Sequence, residues 1–149
     1  MNIAIRQAQA ADIPAVLTIY AQPDMDNGRV LDEEEAQRIF AEFARYPNYR
    51  LFVARDEASG RVVGSYALLV MHNLAHCGTP SAIAEDVVVR PDRQGQGIGR
   101  QMMAHAVAQA RAAGCYKLAL SSNRKRQAAH AFYESLGFTQ HGLSFVIEP

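Results

Sequence analysis

Three β-branched residues, Val87-Val88-Val89, run directly into Arg90-Pro91-Asp92-Arg93-Gln94-Gly95-Gln96-Gly97-Ile98-Gly99-Arg100. No other stretch of the chain restricts the fold as tightly. Valines are stiff at χ1 and suit a pleated strand. Pro91 cannot donate to a ladder and stops that strand. Past the glycines, Ile98, Met102, Met103, Ala106, Val107 and Ala110 recur at helical spacing until Gly114 ends the pattern. A buried strand therefore passes through a glycine loop into a long helix, which demands a layered α/β fold.

Such a helix start is an anion site, because its first N–H groups lack intrahelical acceptors and its dipole is positive there. Glycine lets the backbone approach a phosphate closely and take positive φ. Arg93 and Arg100 add positive charge. A P-loop would end in Gly-Lys-Ser/Thr, where this chain has Gly99-Arg100-Gln101. A dinucleotide fingerprint is spaced GxGxxG early in a βαβ unit, whereas this loop is GxGxG and comes late. A tight turn needing glycine only for backbone geometry is the competing reading. Three alternating glycines with two arginines between strand and helix favour phosphate.

The remaining pattern completes one α/β unit. Ile3 and Ile5 alternate as a first strand, and Asp12 caps a helix to Tyr20. A loop over 22–28 precedes Asp32 and Glu35, which resemble a capping box. Ala36, Ile39, Phe40 and Phe43 mark one helical face, ended by Tyr46-Pro47-Asn48. Strands are expected over 51–55, 61–70 and 82–90, the first two joined at Ala58-Ser59-Gly60. Tyr116, Leu118 and Leu120 alternate as a fifth strand. Ala129, Phe132 and Leu136 lie on a last helix stopped by Gly137, and 138–141 with 143–147 predict a closing hairpin. The order is β-α-α-β-β-β-α-β-α-β-β, with helices flanking a largely antiparallel sheet in a single domain over residues 1–149.

Fifteen basic and fifteen acidic residues cancel, which argues against nucleic acid or an anionic membrane as partner. No apolar run approaches the ~20 residues of a membrane span. The N-terminus lacks a signal-peptide core, and Cys77 and Cys115 read as free thiols of a reducing compartment, so a cytoplasmic location is expected.

Gln94-Gly95-Gln96-Gly97-Ile98-Gly99 resembles the pyrophosphate-binding signature of the GNAT superfamily of acetyl-CoA-dependent N-acetyltransferases. Phe132-Tyr133-Glu134-Ser135-Leu136-Gly137-Phe138 matches a second hallmark of that family without a gap. The resemblance implies a mixed sheet splayed between its fourth and fifth strands, with coenzyme A in the gap. Backbone groups of Val87, Val88 and Val89 would meet pantetheine, and the amides of Gln94, Gly95, Gln96, Gly97, Ile98, Gly99 and Arg100 would hold pyrophosphate. Phe132 would border the cofactor. Where much of the family has Asn, this chain has Arg126, with Asn123 three residues earlier. Either residue is a candidate cofactor contact, and Arg124, Lys125 and Arg126 face either the phosphates or solvent.

Amide formation from a thioester needs a neutral amine, a stabilised carbonyl oxygen and a thiolate that can leave. A free amine of pKa about 10.4 arrives mostly protonated. A carboxylate can take its proton. The resemblance assigns Tyr133 as the acid that serves the thiolate; the competing reading is a Tyr that only packs beside Phe132. Glu85 and Asp86 precede the valines. Strand parity puts Glu85 with Val87 and Val89 and allows one of the two carboxylates into the site, Glu85 being the preferred base. A bulge would reverse that choice. The competing reading is a carboxylate that only holds a neighbouring strand or an Arg.

His72, Asn73, His76 and Cys77 are too few and too irregular for zinc, so no metal is expected. They are candidates to line the acceptor pocket, together with the loop over 24–29. Cys115 reads as a small buried hydrophobe, and His130 is not assigned catalysis. The expected partner is a small-molecule amine. Gly114-Cys115-Tyr116-Lys117 and Glu85-Asp86-Val87-Val88-Val89 also resemble glucosamine-6-phosphate N-acetyltransferases. Amino-sugar phosphates and protein or peptide amines are thus alternatives, as is a coenzyme A-binding module without turnover. The family's frequent dimers suggest a homodimer.

Overall fold

The computed structural model describes residues 1–149, which form two compact units, Met1–Ala119 and Leu120–Pro149. The first holds β1 (Ile3–Gln7), α1 (Ile13–Tyr20), α2 (Glu33–Phe43), β2 (Tyr49–Asp56), β3 (Arg61–Met71), β4 (Ser81–Val89), α3 (Ile98–Ala112) and β5 (Leu118–Ala119). The strands follow one another in space as β1-β2-β3-β4-β5. All neighbours are antiparallel except β4 and β5, which run parallel. This is the mixed, mostly antiparallel sheet the motifs predict.

Helices cover both faces of the sheet. Ile13, Val16 and Ile19 of α1 and Ala36 of α2 pack with Leu51, Val53, Ala67 and Val88 in one core. On the opposite face α3 brings His105 edge-on to Phe52, ring centroids 4.9 Å apart, and its Nδ1 within 2.7 Å of the Tyr66 hydroxyl. Gly64 lets α3 come this close, since a Cβ there would lie 3.0 Å from Met102 Sδ. Burial on both faces explains why β2 and β3 read as apolar runs instead of clean alternation. Desolvation lowers the His105 pKa and raises that of Tyr66.

Asp12 departs from the expected helix cap. Its carboxylate accepts from Arg6 at 2.7 and 2.9 Å and from the Gln9 N–H at 2.7 Å, serving the turn before α1. The Arg6 bond, above all, lowers its pKa. Asp12→Asn should therefore destabilise the fold by about 2 kcal/mol, a Tm loss of roughly 4–8 °C. A depressed carboxyl contributes fully above its unfolded pKa of ~3.9 and is lost as pH falls through the lower folded value. Melts at pH 7 should separate the two proteins, and melts at the acid end should bring them together.

At α2, Asp32 accepts from the Glu35 N–H at 2.9 Å as the cap predicts, while the Glu35 carboxylate pairs with Arg38. Ala36 is buried and Phe43 stacks on Tyr49 at 4.7 Å, but Ile39, expected on the same face, is 40% exposed. The strand expected from Tyr116 is reduced to two residues, and β4 begins one residue earlier than predicted. Cys115 is only half-buried, and Cys77 is exposed.

The second unit contains α4 (Gln127–Ser135), closed by Gly137 at φ 94° and a Phe138 N–H bond to the Tyr133 carbonyl of 3.1 Å. The predicted closing hairpin is absent. Leu143, Phe145 and Ile147 are 86, 89 and 85% exposed and lie in no strand. Alternation gives a segment two faces, but a strand also needs a partner edge for its N–H and C=O groups. No helix of the chain is long and apolar enough to cross a membrane.

Candidate active site

The turn after β4 presents the backbone as its glycines predict. Gly95 and Gly97 have φ of 76° and 83°, and a Cβ at either would meet nothing within 4 Å. Gly97 caps α3 with no side chain serving the end, and the first helical bond is Gln101 N–H to the Gly97 carbonyl at 3.1 Å. The N–H groups of Ile98, Gly99 and Arg100 thus have no intrahelical acceptor. Open space over an uncapped fifteen-residue helix suits a pyrophosphate. Arg93 is partly spoken for, bonding to Asp56 at 3.2 Å and to Gln96 at 3.1 Å. Arg100 is exposed and forms no ion pair, leaving it the freer charge.

The β4–β5 ladder ends where Ile83 faces Ala119. Beyond it, residues 84–89 have no strand on that edge. The Arg90 N–H bonds to the Val63 carbonyl at 2.8 Å, so ladder alternation turns the main chain of Val88 to Ser65 on β3 and that of Val87 to the free edge. The Val89 carbonyl is already engaged by side-chain amides of Gln94 at 3.2 Å and Gln22 at 3.4 Å. Gln22 is buried and also bonds to the Ile19 carbonyl at 2.8 Å, tying the end of α1 to the end of β4.

A bulge in β4 overturns the simple parity of its carboxylates. Ala67 pairs with Glu85 and Ser65 with Val88, so Asp86 and Val87 together oppose Tyr66. Asp86 absorbs the extra residue at φ 53°. Glu85 consequently shares its face with Val88 rather than with Val89, on the side that packs against α1. Both carboxylates, not one, act on Tyr49, and Asp86 also acts on Tyr20. Partial desolvation at the bulge raises the Asp86 pKa although the residue keeps substantial solvent contact, and the charge of Asp26 raises it further. Burial pushes Tyr20 up to about 12 with help from Asp86, so its phenol stays protonated.

Beside these groups lies a cleft of about 280 Å³ lined by Tyr20, Asp26, Arg29, Val30 and Leu31. The loop over 24–29 supplies part of this wall. The loop over 72–80 supplies none of it; there His76 stacks on Tyr116 at 4.7 Å. Tyr20 and Tyr49 were not legible as site residues. The only signal was a Tyr closing α1, where the apolar stripe would accept an aliphatic residue. No group of three or more His, Cys, Asp or Glu is placed to hold a metal ion.

Within the second unit, Phe132 and Tyr133 rings lie 5.2 Å apart, and Tyr133 meets Phe138 edge-on at 5.8 Å. Desolvation raises the Tyr133 pKa, and the positive charge of Arg126 opposes it. Asn123 is occupied locally: its Oδ1 accepts from Lys125 N–H at 2.9 Å, and its carbonyl accepts from Arg126 N–H at 2.9 Å and from His130 Nε2 at 2.8 Å. Arg126 stands exposed at the start of α4.

A family model described as "Acetyltransferase (GNAT) family" matches residues 13–138. Glucosamine 6-phosphate N-acetyltransferase of Trypanosoma brucei brucei is 36% identical over 85 residues, 57% of this chain and 56% of that protein. Aminoalkylphosphonate N-acetyltransferase of Salmonella typhimurium is 40% identical over 87 residues, 58% of this chain and 56% of that protein. The matched stretch thus spans just over half the length of these two curated relatives. A solved structure from Agrobacterium tumefaciens superposes with a TM-score of 0.88 at 36% identity, covering 98% of this chain and 99% of its own.

Proposed function

The chain belongs to the acetyltransferase (GNAT) family, and we propose that its residues 1–149 act as one domain that moves an acetyl group from acetyl-CoA to the amine of a small molecule. The observation that carries this reading is the juxtaposition on β4. The same strand runs into the open glycine turn at one end and bulges at Asp86 to put two carboxylates beside a cleft.

Acetyl-CoA supplies an activated acyl carbon and a thiol leaving group. The backbone N–H groups from Gly97 to Arg100 hold its pyrophosphate, with Gln94, Gly95 and Gln96 shaping the turn. The open edge at Val87 orients its pantetheine arm and offers an N–H to the carbonyl oxygen, while Val88 is held by β3. Phe132, Asn123 and Arg126 are further contacts. Asp86 takes the proton that the amine must lose, since a raised carboxyl is the stronger base. Glu85, on the same side of the sheet, holds the water that links amine and base. The amine nitrogen forms the new C–N bond as the C–S bond breaks, and the departing sulfur is protonated with the help of Tyr133. Starting from the ammonium, nitrogen loses two protons: one passes through Asp86 to solvent, and the other, lost on attack, offsets the proton that Tyr133 delivers to sulfur, so the products are the acetamide, free CoA and one proton. The two relatives act, by name, on an amino-sugar phosphate and aminoalkylphosphonates, and acceptors of that kind suit a cleft of this size.

The test is thiol release with acetyl-CoA and a panel of amines, run as a function of pH. The base must be ionised, so kcat/KM should rise with pH through the raised Asp86 pKa. Asp86→Asn should lower kcat by roughly 10²-fold or more and remove that limb of the profile. Glu85→Gln should lower the rate less and keep the limb. The reverse pattern would transfer the base to Glu85, and no thiol release from any amine would defeat the reading.

A further inference from the structure

We infer that the acceptor carries an anionic group close to its amine, and that Arg29 is the residue selecting for it. The inference rests on the reading of the chain as an amine acetyltransferase.

The cleft holds charges of both signs. Arg29 lines it, and its Nε donates to the Asp26 carbonyl at 3.2 Å, which anchors one edge of the guanidinium. The arginines that find carboxylates are Arg6, Arg38, Arg45, Arg90 and Arg93; Arg29 is not among them. Its terminal NH₂ groups have no protein acceptor. A planar fork anchored at one edge and unpaired at the other is suited to a phosphate, phosphonate or carboxylate.

Asp26 lines the same cleft, and its charge acts on Asp86. These carboxylates favour a cation, the form in which an amine arrives. Tyr20, kept protonated by burial, adds a neutral hydroxyl between the α1 end and the bulge. Val30 and Leu31, 43 and 39% exposed, give the wall an apolar stretch for a short carbon skeleton.

Charge balance then narrows the acceptor. A polyamine would gain from Asp26 and Asp86 but meet an unpaired guanidinium. A simple dianion would meet two carboxylates. A molecule with an amine at one end and an anion at the other satisfies both. The volume of about 280 Å³ is near the lower end of ligand sites, so few atoms separate the two groups.

Three acceptors of matched length test this on the full chain: 2-aminoethylphosphonate, β-alanine and propylamine. With saturating acetyl-CoA, kcat/KM should be at least tenfold higher for the two anionic amines than for propylamine. Arg29→Gln should shrink that ratio roughly 10- to 100-fold through KM, and Arg29→Lys should restore part of it. A larger loss for the phosphonate than for β-alanine identifies a phosphate-like anion; the reverse identifies a carboxylate. Tm and acetyl-CoA affinity of each variant show whether the fold is intact.

Equal use of propylamine by the wild type, or equal losses on all three amines in Arg29→Gln, overturns the inference and leaves acetyl transfer standing. Calorimetric titration of 2-aminoethylphosphonate in the presence of CoA separates the other case. Binding that depends on Arg29 without thiol release from any amine keeps the anion site and removes acetyl transfer. If the anionic amines neither bind nor turn over, the inference is overturned.

Discussion

Replacing Tyr133 with Phe should lower kcat by roughly 10²- to 10³-fold and leave acetyl-CoA affinity within about twofold. The substitution removes one oxygen and keeps the ring. Packing against Phe132 at 5.2 Å and Phe138 at 5.8 Å is therefore retained, and Tm should change little. What disappears is the hydrogen-bond donor proposed for the departing sulfur. A free thiol has a pKa of about 8.5, so the sulfur ends protonated at neutral pH and gains from a donor as it departs. Desolvation raises the Tyr133 phenol above its ordinary value, even against the nearby charge of Arg126. It thus remains protonated across the range in which a carboxylate base is already ionised. Wild-type activity should show no alkaline fall below the ordinary phenol pKa of ~10. Thiol release at saturating substrates measures kcat, and calorimetry measures acetyl-CoA binding. A rate within threefold of wild type would remove Tyr133 from the chemistry; lost binding would make it a cofactor contact instead.

Gly97 should show the opposite signature. Its φ of 83° is left-handed, and the space over it is open. A Cβ at Gly97 has no atom within 4 Å, so the main cost of Gly97→Leu to the folded chain is that of the backbone, about 1–2 kcal/mol for an ordinary L-residue. That is a Tm loss of roughly 2–8 °C. The added side chain occupies the space above the α3 N-terminus through which the proposed pyrophosphate would approach the amides. Acetyl-CoA affinity should fall by about 10²-fold or more, equivalent to two charge-assisted hydrogen bonds. Gly97→Asn separates strain from occlusion, because Asn tolerates the left-handed region. It should recover most of the Tm and little of the affinity. Full acetyl-CoA binding by folded Gly97→Leu would place the pyrophosphate elsewhere.

The glycine turn was legible because its signals are local. Positive φ, an uncapped helix start and a proline stop belong to single residues and their immediate neighbours. The Phe-Tyr helix ending at Gly137 was legible for the same reason. The failures share a different cause. The alternation of Leu143, Phe145 and Ile147 is a real strand pattern, yet pattern alone cannot supply an edge to pair with. Asp12 looked like a helix cap, but Arg6, on the preceding strand, held its carboxylate at 2.7 Å. Counting parity along β4 could not reveal that Tyr66, far away in sequence, would face two residues at once.

From the residues alone came the layered α/β class and the glycine turn, and the resemblance of two motifs added the family that the family model shows. The class and the turn depend on backbone torsion and short-range periodicity, which neighbouring residues set. Only the tertiary structure decided that Glu85 and Asp86 both act on Tyr49. It alone brought Asp26 and Arg29 into one cleft with Tyr20 and left the Arg29 guanidinium without a carboxylate. Those facts depend on strand register, a bulge and the seat of α1 on the sheet. Each is fixed by contacts between segments, and no single segment records them.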